Sequence, residues 1–225
     1  MYKLILIFLT IFIVSCAQPG GVRIDNVPMY GQPETPRPDF LKKADEDFIN
    51  KVTAEIGDRK KASTMWYRQG DKYLKERNFD YAMRRYNQSW LLDPDNYQPY
   101  WGFGRVMLEQ NRFEESIKHL LKANELIDDD YQKVALLSDI GAAYSYAAEN
   151  EKDKNKKQNY YRLSFNHFTE STKMDSSYGR SWLQWAIALY GAGNYKEAKE
   201  KYDVAKSKGE KQENFEKALT QKLLK

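Results

Sequence analysis

The chain has 225 residues, 41% of them hydrophobic and 30% charged, which is enough material for one cored domain of ordinary size and too little for a second. Its formal charge of +4 is the small difference between 36 basic and 32 acidic residues interspersed along the sequence, so no contiguous basic stripe exists to track phosphates and no nucleic-acid partner is expected. A single cysteine excludes a disulfide framework or a cysteine-rich metal site within one chain.

Residues 1–15, MYKLILIFLTIFIVS, begin with one basic residue, Lys3, followed by an apolar run from Leu4 to Val14 broken only by Thr10. The run falls short of the roughly 20 residues a permanent span needs and fits the apolar region of a cleaved secretory signal. Ile13, Val14 and Ser15, placed directly before Cys16, resemble the bacterial lipoprotein box. That resemblance implies cleavage before Cys16, a diacylglycerol on its thiol and an N-acyl lipid, such as palmitate, on the new amino group. Three buried acyl chains make an anchor effectively permanent, where one alone binds marginally. Ala17, in a place where Asp favours inner-membrane retention in similar lipoproteins, points to the outer membrane with the protein facing the periplasm. Apart from this covalent lipid, no cofactor is expected.

Residues 16–38 form the tether. Pro19, Pro28, Pro33, Pro36 and Pro38 fall here among Gly20, Gly21 and Gly31, and the composition predicts an extended spacer of up to ~3.1 Å per residue. Its stretch VPMYGQPETPRP could alternatively dock on a partner, because proline lowers the entropy lost on binding. Asp39 then caps a helix whose apolar residues Phe40, Leu41, Ala44, Phe48, Ile49, Val52 and Ile56 recur at three- and four-residue steps, giving an N-terminal capping helix over 39–62.

From residue 63 a period of 34 emerges. Trp66, Gly70, Tyr73, Phe79, Ala82, Tyr86, Ser89 and Pro94 are matched by Tyr100, Gly104, Met107, Phe113, Ser116, Leu120, Ala123 and Asp128. A third unit begins about three residues late, with Gly141 and Tyr144 on its first helix and Tyr161, Ser164, Phe168 and Ser171 on its second. Trp182, Ala186, Leu189, Tyr195, Ala198, Tyr202 and Ala205 form a fourth, and Phe215, Ala218, Leu219 and Leu223 mark a closing helix. This pattern resembles the tetratricopeptide repeat (TPR), and the first unit is close to a complete match. The resemblance implies an all-α, TPR-type solenoid of helical hairpins over 63–208, with repeats at 63–96, 97–130, 134–177 and 179–208 between N- and C-terminal capping helices, the latter over 209–225. Between Tyr144 and Tyr161 lie eleven residues beyond the repeat spacing. Eleven is close to three turns, so the insertion near 145–160 either lengthens both helices in phase or forms a charged loop.

In the TPR fold the first helices line a concave groove. Carried over position by position, the groove presents Thr64, Tyr67, Asp71 and Lys75 from the first repeat and Gln98, Trp101, Arg105 and Glu109 from the second. The third repeat supplies Ser138, Ala142 and Tyr146, and the fourth Arg180, Leu183, Ile187 and Tyr190. We single out Tyr67, Asp71, Trp101, Arg105, Tyr146, Arg180 and Tyr190 as partner-binding, because exposed Trp, Tyr and Arg supply the energy of most protein interfaces. Tyr67 and Asp71 stand where the carboxylate-clamping TPR subtype carries Lys and Asn, so a chaperone-tail receptor is disfavoured. The alternative is that these aromatics serve the scaffold.

The two histidines, His119 and His167, have no acid or nucleophile in a recognisable motif around them, and no phosphate loop or metal-binding motif is present. The sequence therefore predicts no enzyme and no metal site, but a membrane-anchored periplasmic adaptor that takes a protein or peptide partner of the envelope. The alternative is a self-assembling structural lipoprotein without a separate groove ligand.

Overall fold

The computed structural model describes residues 23–224; the expected signal segment and Cys16 lie outside them. Two short 3₁₀ turns, Ile24–Asn26 and Pro28–Gly31, precede a run of α-helices. These are α1 (Asp39–Ile56), α2 (Arg59–Lys75), α3 (Phe79–Leu92), α4 (Tyr97–Glu109), α5 (Phe113–Leu126), α6 (Asp130–Asn150), α7 (Lys154–Met174), α8 (Gly179–Gly191), α9 (Tyr195–Ser207) and α10 (Glu213–Leu223). No described helix is long and apolar enough to cross a membrane.

Helices α2 to α9 pair as four consecutive hairpins, and each second helix also packs on the first helix of the next hairpin. The first helices α2, α4, α6 and α8 lie side by side as the inner layer, with α3, α5, α7 and α9 outside. At one end α1 sets Phe48, Val52 and Ile56 against Ala62, Trp66 and Leu92; at the other, α10 sets Leu219 and Phe215 against the cluster around Tyr202. Both caps cover an apolar hairpin face that stacking leaves open.

The hairpins close because a small residue on the first helix receives a large one from the second. A Cβ on Gly70 would stand 2.4 Å from the Tyr86 ring, one on Gly104 2.5 Å from Leu120, and one on Gly141 2.8 Å from Phe168. Buried hydroxyls fasten the same crossings: Ser116 Oγ donates to the Gly104 carbonyl and Ser164 Oγ to that of Gly141, both at 2.8 Å. Arg77 and Asn111, 34 residues apart, turn the first two hairpins with φ of 57° and 59°, and Gly193 turns the fourth at 84°. One left-handed residue lets the chain reverse in so short a connection.

The third hairpin is longer. Helices α6 and α7 have 21 residues each, and the chain reverses at 151–153, where the Asp153 carboxylate accepts from the Lys156 amide at 2.8 Å to start α7. The insertion is thus taken up by lengthening both helices around a short turn, one of the two readings its length allowed. The N-terminal cap is shorter than the expected 39–62. Gly57 ends α1 in the left-handed region and Asp58 accepts from the Lys61 amide at 3.1 Å, so 59–62 open the first repeat. Asp39 lies inside the first turn of α1 and pairs with Lys42 instead of capping.

The largest departure concerns the tether. Residues 23–38 are not a free spacer; they lie as a strap across the outer helices α3 and α5. Fully buried Asn87 of α3 donates its amide to the carbonyls of Asp25 and Val27 at 3.1 and 2.9 Å. Tyr30 is buried beneath the Arg37 guanidinium, 3.9 Å from the ring centroid, and Arg37 forms a two-pronged pair with Asp45 of α1 at 2.6 and 2.7 Å. Arg84 holds Asp25 at 2.7 Å, and Lys118 of α5 approaches Glu34 at 3.5 Å. The prolines restrict the strap's unfolded freedom, while Met29 and Tyr30 supply the apolar area that holds it down.

His119 of α5 is buried on the flank of this strap, edge-on to Phe103 at 5.5 Å. Burial, reinforced by Lys118 and opposed by Glu115, pushes its pKa down from 6.5 to about 4.

Two consequences are measurable. Gly70→Ala should lower stability by about 1–2 kcal/mol in urea denaturation, because the clash with a Tyr86 ring that cannot move aside exceeds the roughly 1 kcal/mol gained in helix propensity. For His119, the unfolded ring protonates near pH 6.5 and the folded one near 4, so the unfolded chain holds an extra proton between them. Its stabilising contribution is full above about pH 6.5 and is lost as pH falls toward 4, by on the order of 3 kcal/mol. Denaturation at pH 7 and pH 5 should show a smaller pH difference for His119→Gln than for the parent chain.

Candidate partner-binding groove

The inner layer carries a ladder of polar contacts running across the repeats. Asp71 of α2 accepts from the Tyr86 hydroxyl at 2.8 Å and from Arg105 of α4 at 2.9 Å. Two repeats further, Asp139 of α6 accepts from the Trp101 indole N–H of α4 at 2.8 Å and from Arg180 of α8 at 3.5 Å. Burial works against the charge on Arg105, yet the carboxylates of Asp71 and Asp139 outweigh it and raise the pKa above that of a free guanidinium. Each carboxylate therefore joins neighbouring first helices, and the ladder fixes their relative placement.

Between these helices the surface opens into two adjoining hollows. One, of about 350 Å³, is bordered by Lys75, Arg77, Arg105, Glu109, Asp139 and Arg180. The other, of about 280 Å³, is bordered by Asn111, Phe113, Ala142, Tyr146, Arg180 and Gln184. In the second, Tyr146 lies stacked on Phe113, with centroids 6.4 Å apart and planes 14° from parallel, and keeps 40% of its surface exposed. The Arg180 side chain, 56% exposed, spans both hollows. An apolar platform beside a largely free guanidinium can seat a bulky side chain and hydrogen-bond a neighbouring carbonyl or carboxylate.

The seven residues singled out from sequence separate into three groups. Tyr146 and Arg180 line the open groove. Arg105 borders one hollow, half-buried and paired with Asp71, which lines neither. Tyr67 and Trp101, expected to be exposed, are instead buried at 8% and 7%, the former 5.7 Å from the Tyr86 ring, and belong to the main core. On the inside of a curved stack adjacent helices converge, and bulky groove-side residues of successive repeats cover one another. Tyr190 turns to the C-terminal end, where it packs on Tyr195 and Phe215. Ser138 is fully buried, and its place is taken by Asp139, which the alignment of repeats missed. A signal for Asp139 was present: it is the one charged residue between Lys133 and Glu149 in an otherwise apolar and small-residue helix.

Among the described residues no group of three or more His, Cys, Asp or Glu side chains stands close enough to hold a metal ion. His119 lies in the outer layer at the strap, and His167 stacks on Tyr144 at 5.7 Å, so neither reaches the groove.

Four stacked hairpins with small-on-large crossings and a concave first-helix face define the architecture. It is the TPR solenoid. No protein-family model and no curated protein matches the chain. Among solved structures the chain is similar to TTC0263, a thermophilic TPR protein of Thermus thermophilus, with a TM-score of 0.58, 12% identity, and 64% of this chain and 72% of that one covered. It is also similar to PilF of Pseudomonas aeruginosa, with a TM-score of 0.51, 16% identity and coverage of 77% and 80%. A third, MamA, gives 0.51, 15%, and 75% and 92%. At such identities the likeness is one of fold alone.

Asp139→Ala should destabilise the domain by about 1–3 kcal/mol, because it strands the buried Trp101 N–H without an acceptor. Asp139→Asn, which keeps an acceptor oxygen, should recover most of that loss. Equilibrium denaturation followed by tryptophan fluorescence compares the two, and equal loss in both would show that charge, not the acceptor, is what matters.

Proposed function

We propose that this chain is a non-catalytic adaptor of the bacterial envelope, lipid-anchored through Cys16 to the outer membrane and facing the periplasm, which captures a segment of a partner protein in the hollows between α4, α6 and α8. The observation that carries the binding role is the Tyr146–Phe113 platform beside Arg180: large, partly exposed and held on rigid helices. Aromatic and Arg side chains so placed are the usual centres of interface energy. The support for the anchor is in the sequence, where Lys3, the Leu4–Val14 run and Ile13-Val14-Ser15-Cys16 combine a signal segment with a lipoprotein box.

Tyr146→Ala/Arg180→Ala is the informative variant, since both side chains are exposed; Trp101 and Arg105, buried and half-buried, would confound loss of binding with loss of fold. Intact cells are cross-linked, the protein is extracted in mild detergent, and co-purifying proteins are compared. A discrete envelope partner should be weakened about tenfold or more in the variant at unchanged helical content. Equal capture by both would remove the groove assignment, and recovery of only further copies of the chain would support the self-assembling alternative.

A further inference from the structure

We infer that the strap shortens the tether to a leash and holds the outer, α3-side face of the domain toward the bilayer, so that the groove opens away from the membrane; this rests on the lipid anchor proposed for Cys16. Among the described residues the strap is first fixed to the domain at Asp25, held through its carboxylate by Arg84 and through its carbonyl by Asn87. It lies nine residue steps from Cys16, a reach of about 30 Å at full extension. A tether free as far as Pro38 would reach about 75 Å.

The direction follows from where the leash is attached. Asn87 and Arg84 belong to α3, in the outer layer, and the groove lies beyond the inner layer of first helices. Two helix layers, each about 10 Å thick, separate the attachment point from the groove mouth. Turning that mouth to the bilayer would make the connection to Cys16 pass around both layers and use most of its reach of about 30 Å. The strap resists release, because Asn87 and Tyr30 are buried and Arg37 is doubly bonded to Asp45. The groove ligand is then a water-exposed segment that stands clear of the membrane, and not a stretch adjoining a partner's membrane-embedded part.

The full chain, matured in cells and purified from membranes, is placed in phosphatidylethanolamine/phosphatidylglycerol vesicles that carry a nitroxide quencher on their headgroups. With the Cys16 sulfur blocked by its lipid, a second cysteine takes a fluorophore alone, either Lys122→Cys on the outer face of α5 or Lys75→Cys at the groove rim. Quenching should be several-fold stronger at 122 than at 75, and a long Gly/Ser insert between Gly20 and Gly21, ahead of the strap contacts at 25–37, should remove the difference. Equal quenching at both positions in membrane-bound protein would overturn the leash and leave the anchor standing. Failure of the parent chain to associate with membranes any better than Cys16→Ser would overturn both.

Discussion

The fold depends on one steric relation repeated along the chain: a residue with almost no side chain on the first helix of a hairpin, and a large one on the second that fills the space above it. Gly70 with Tyr86, Gly104 with Leu120 and Gly141 with Phe168 bring paired helices so close that a single methyl group would overlap the partner. Ala186 and Tyr202, both fully buried, hold the corresponding places in the fourth hairpin. Each large side chain withdrawn from water contributes about 1.5–3 kcal/mol, and the close approach lets Ser116 and Ser164 reach backbone carbonyls that would otherwise lie beyond them. Tyr86 links this relation to the groove, since its ring also packs against Gly102 of the next repeat and its hydroxyl meets Asp71.

Close stacking imposes a second constraint on the concave side, where neighbouring first helices converge and polar residues must be satisfied by one another. The Asp71–Arg105 pair and the Asp139 contacts to Trp101 and Arg180 are the result. Charged groups that look available for a ligand in the sequence are partly consumed in setting the register of the repeats. What remains for a partner lies where the third hairpin is lengthened: Tyr146, one turn from the C-terminal end of α6, stands beside Phe113 at the start of α5 and extends the groove beyond the reach of a standard repeat.

The residues that close hairpins were legible in the sequence because their spacing is enforced at every repeat. Gly70, Gly104 and Gly141, and their partners Tyr86, Leu120 and Phe168, could be aligned without coordinates. The groove was less legible, because an alignment gives the face of a helix and not how near the next helix comes. Tyr67 and Trp101 were expected to be exposed, yet they are buried in the core; Asp139 is one position from the aligned Ser138, enough to exchange a fully buried serine for a half-buried carboxylate that bridges helices. The strap was misread for another reason. Proline and glycine content measures how little a segment can form helix or strand, and says nothing of whether Val27, Met29, Tyr30 and Arg37 find partners on a distant helix. Asn87, whose amide holds that backbone, sits in the second helix of the first repeat with no local sign of the role.

The strap and the groove are therefore parts of one geometry. A solenoid has two broad faces, and a ligand arriving on one is insensitive to what occupies the other unless the chain ties that face to something large. Here the outer face of the first two repeats carries the segment that leads back toward Cys16, and the contacts holding it are of the buried, geometrically demanding kind: an amide bonded to two carbonyls and a two-pronged guanidinium–carboxylate pair. Such contacts add little to a binding groove on the opposite side of two helix layers. Under the proposed anchor their consequence is orientation, because the strap is fixed to the domain at Asp25 on the outer layer, with the inner layer facing the other way.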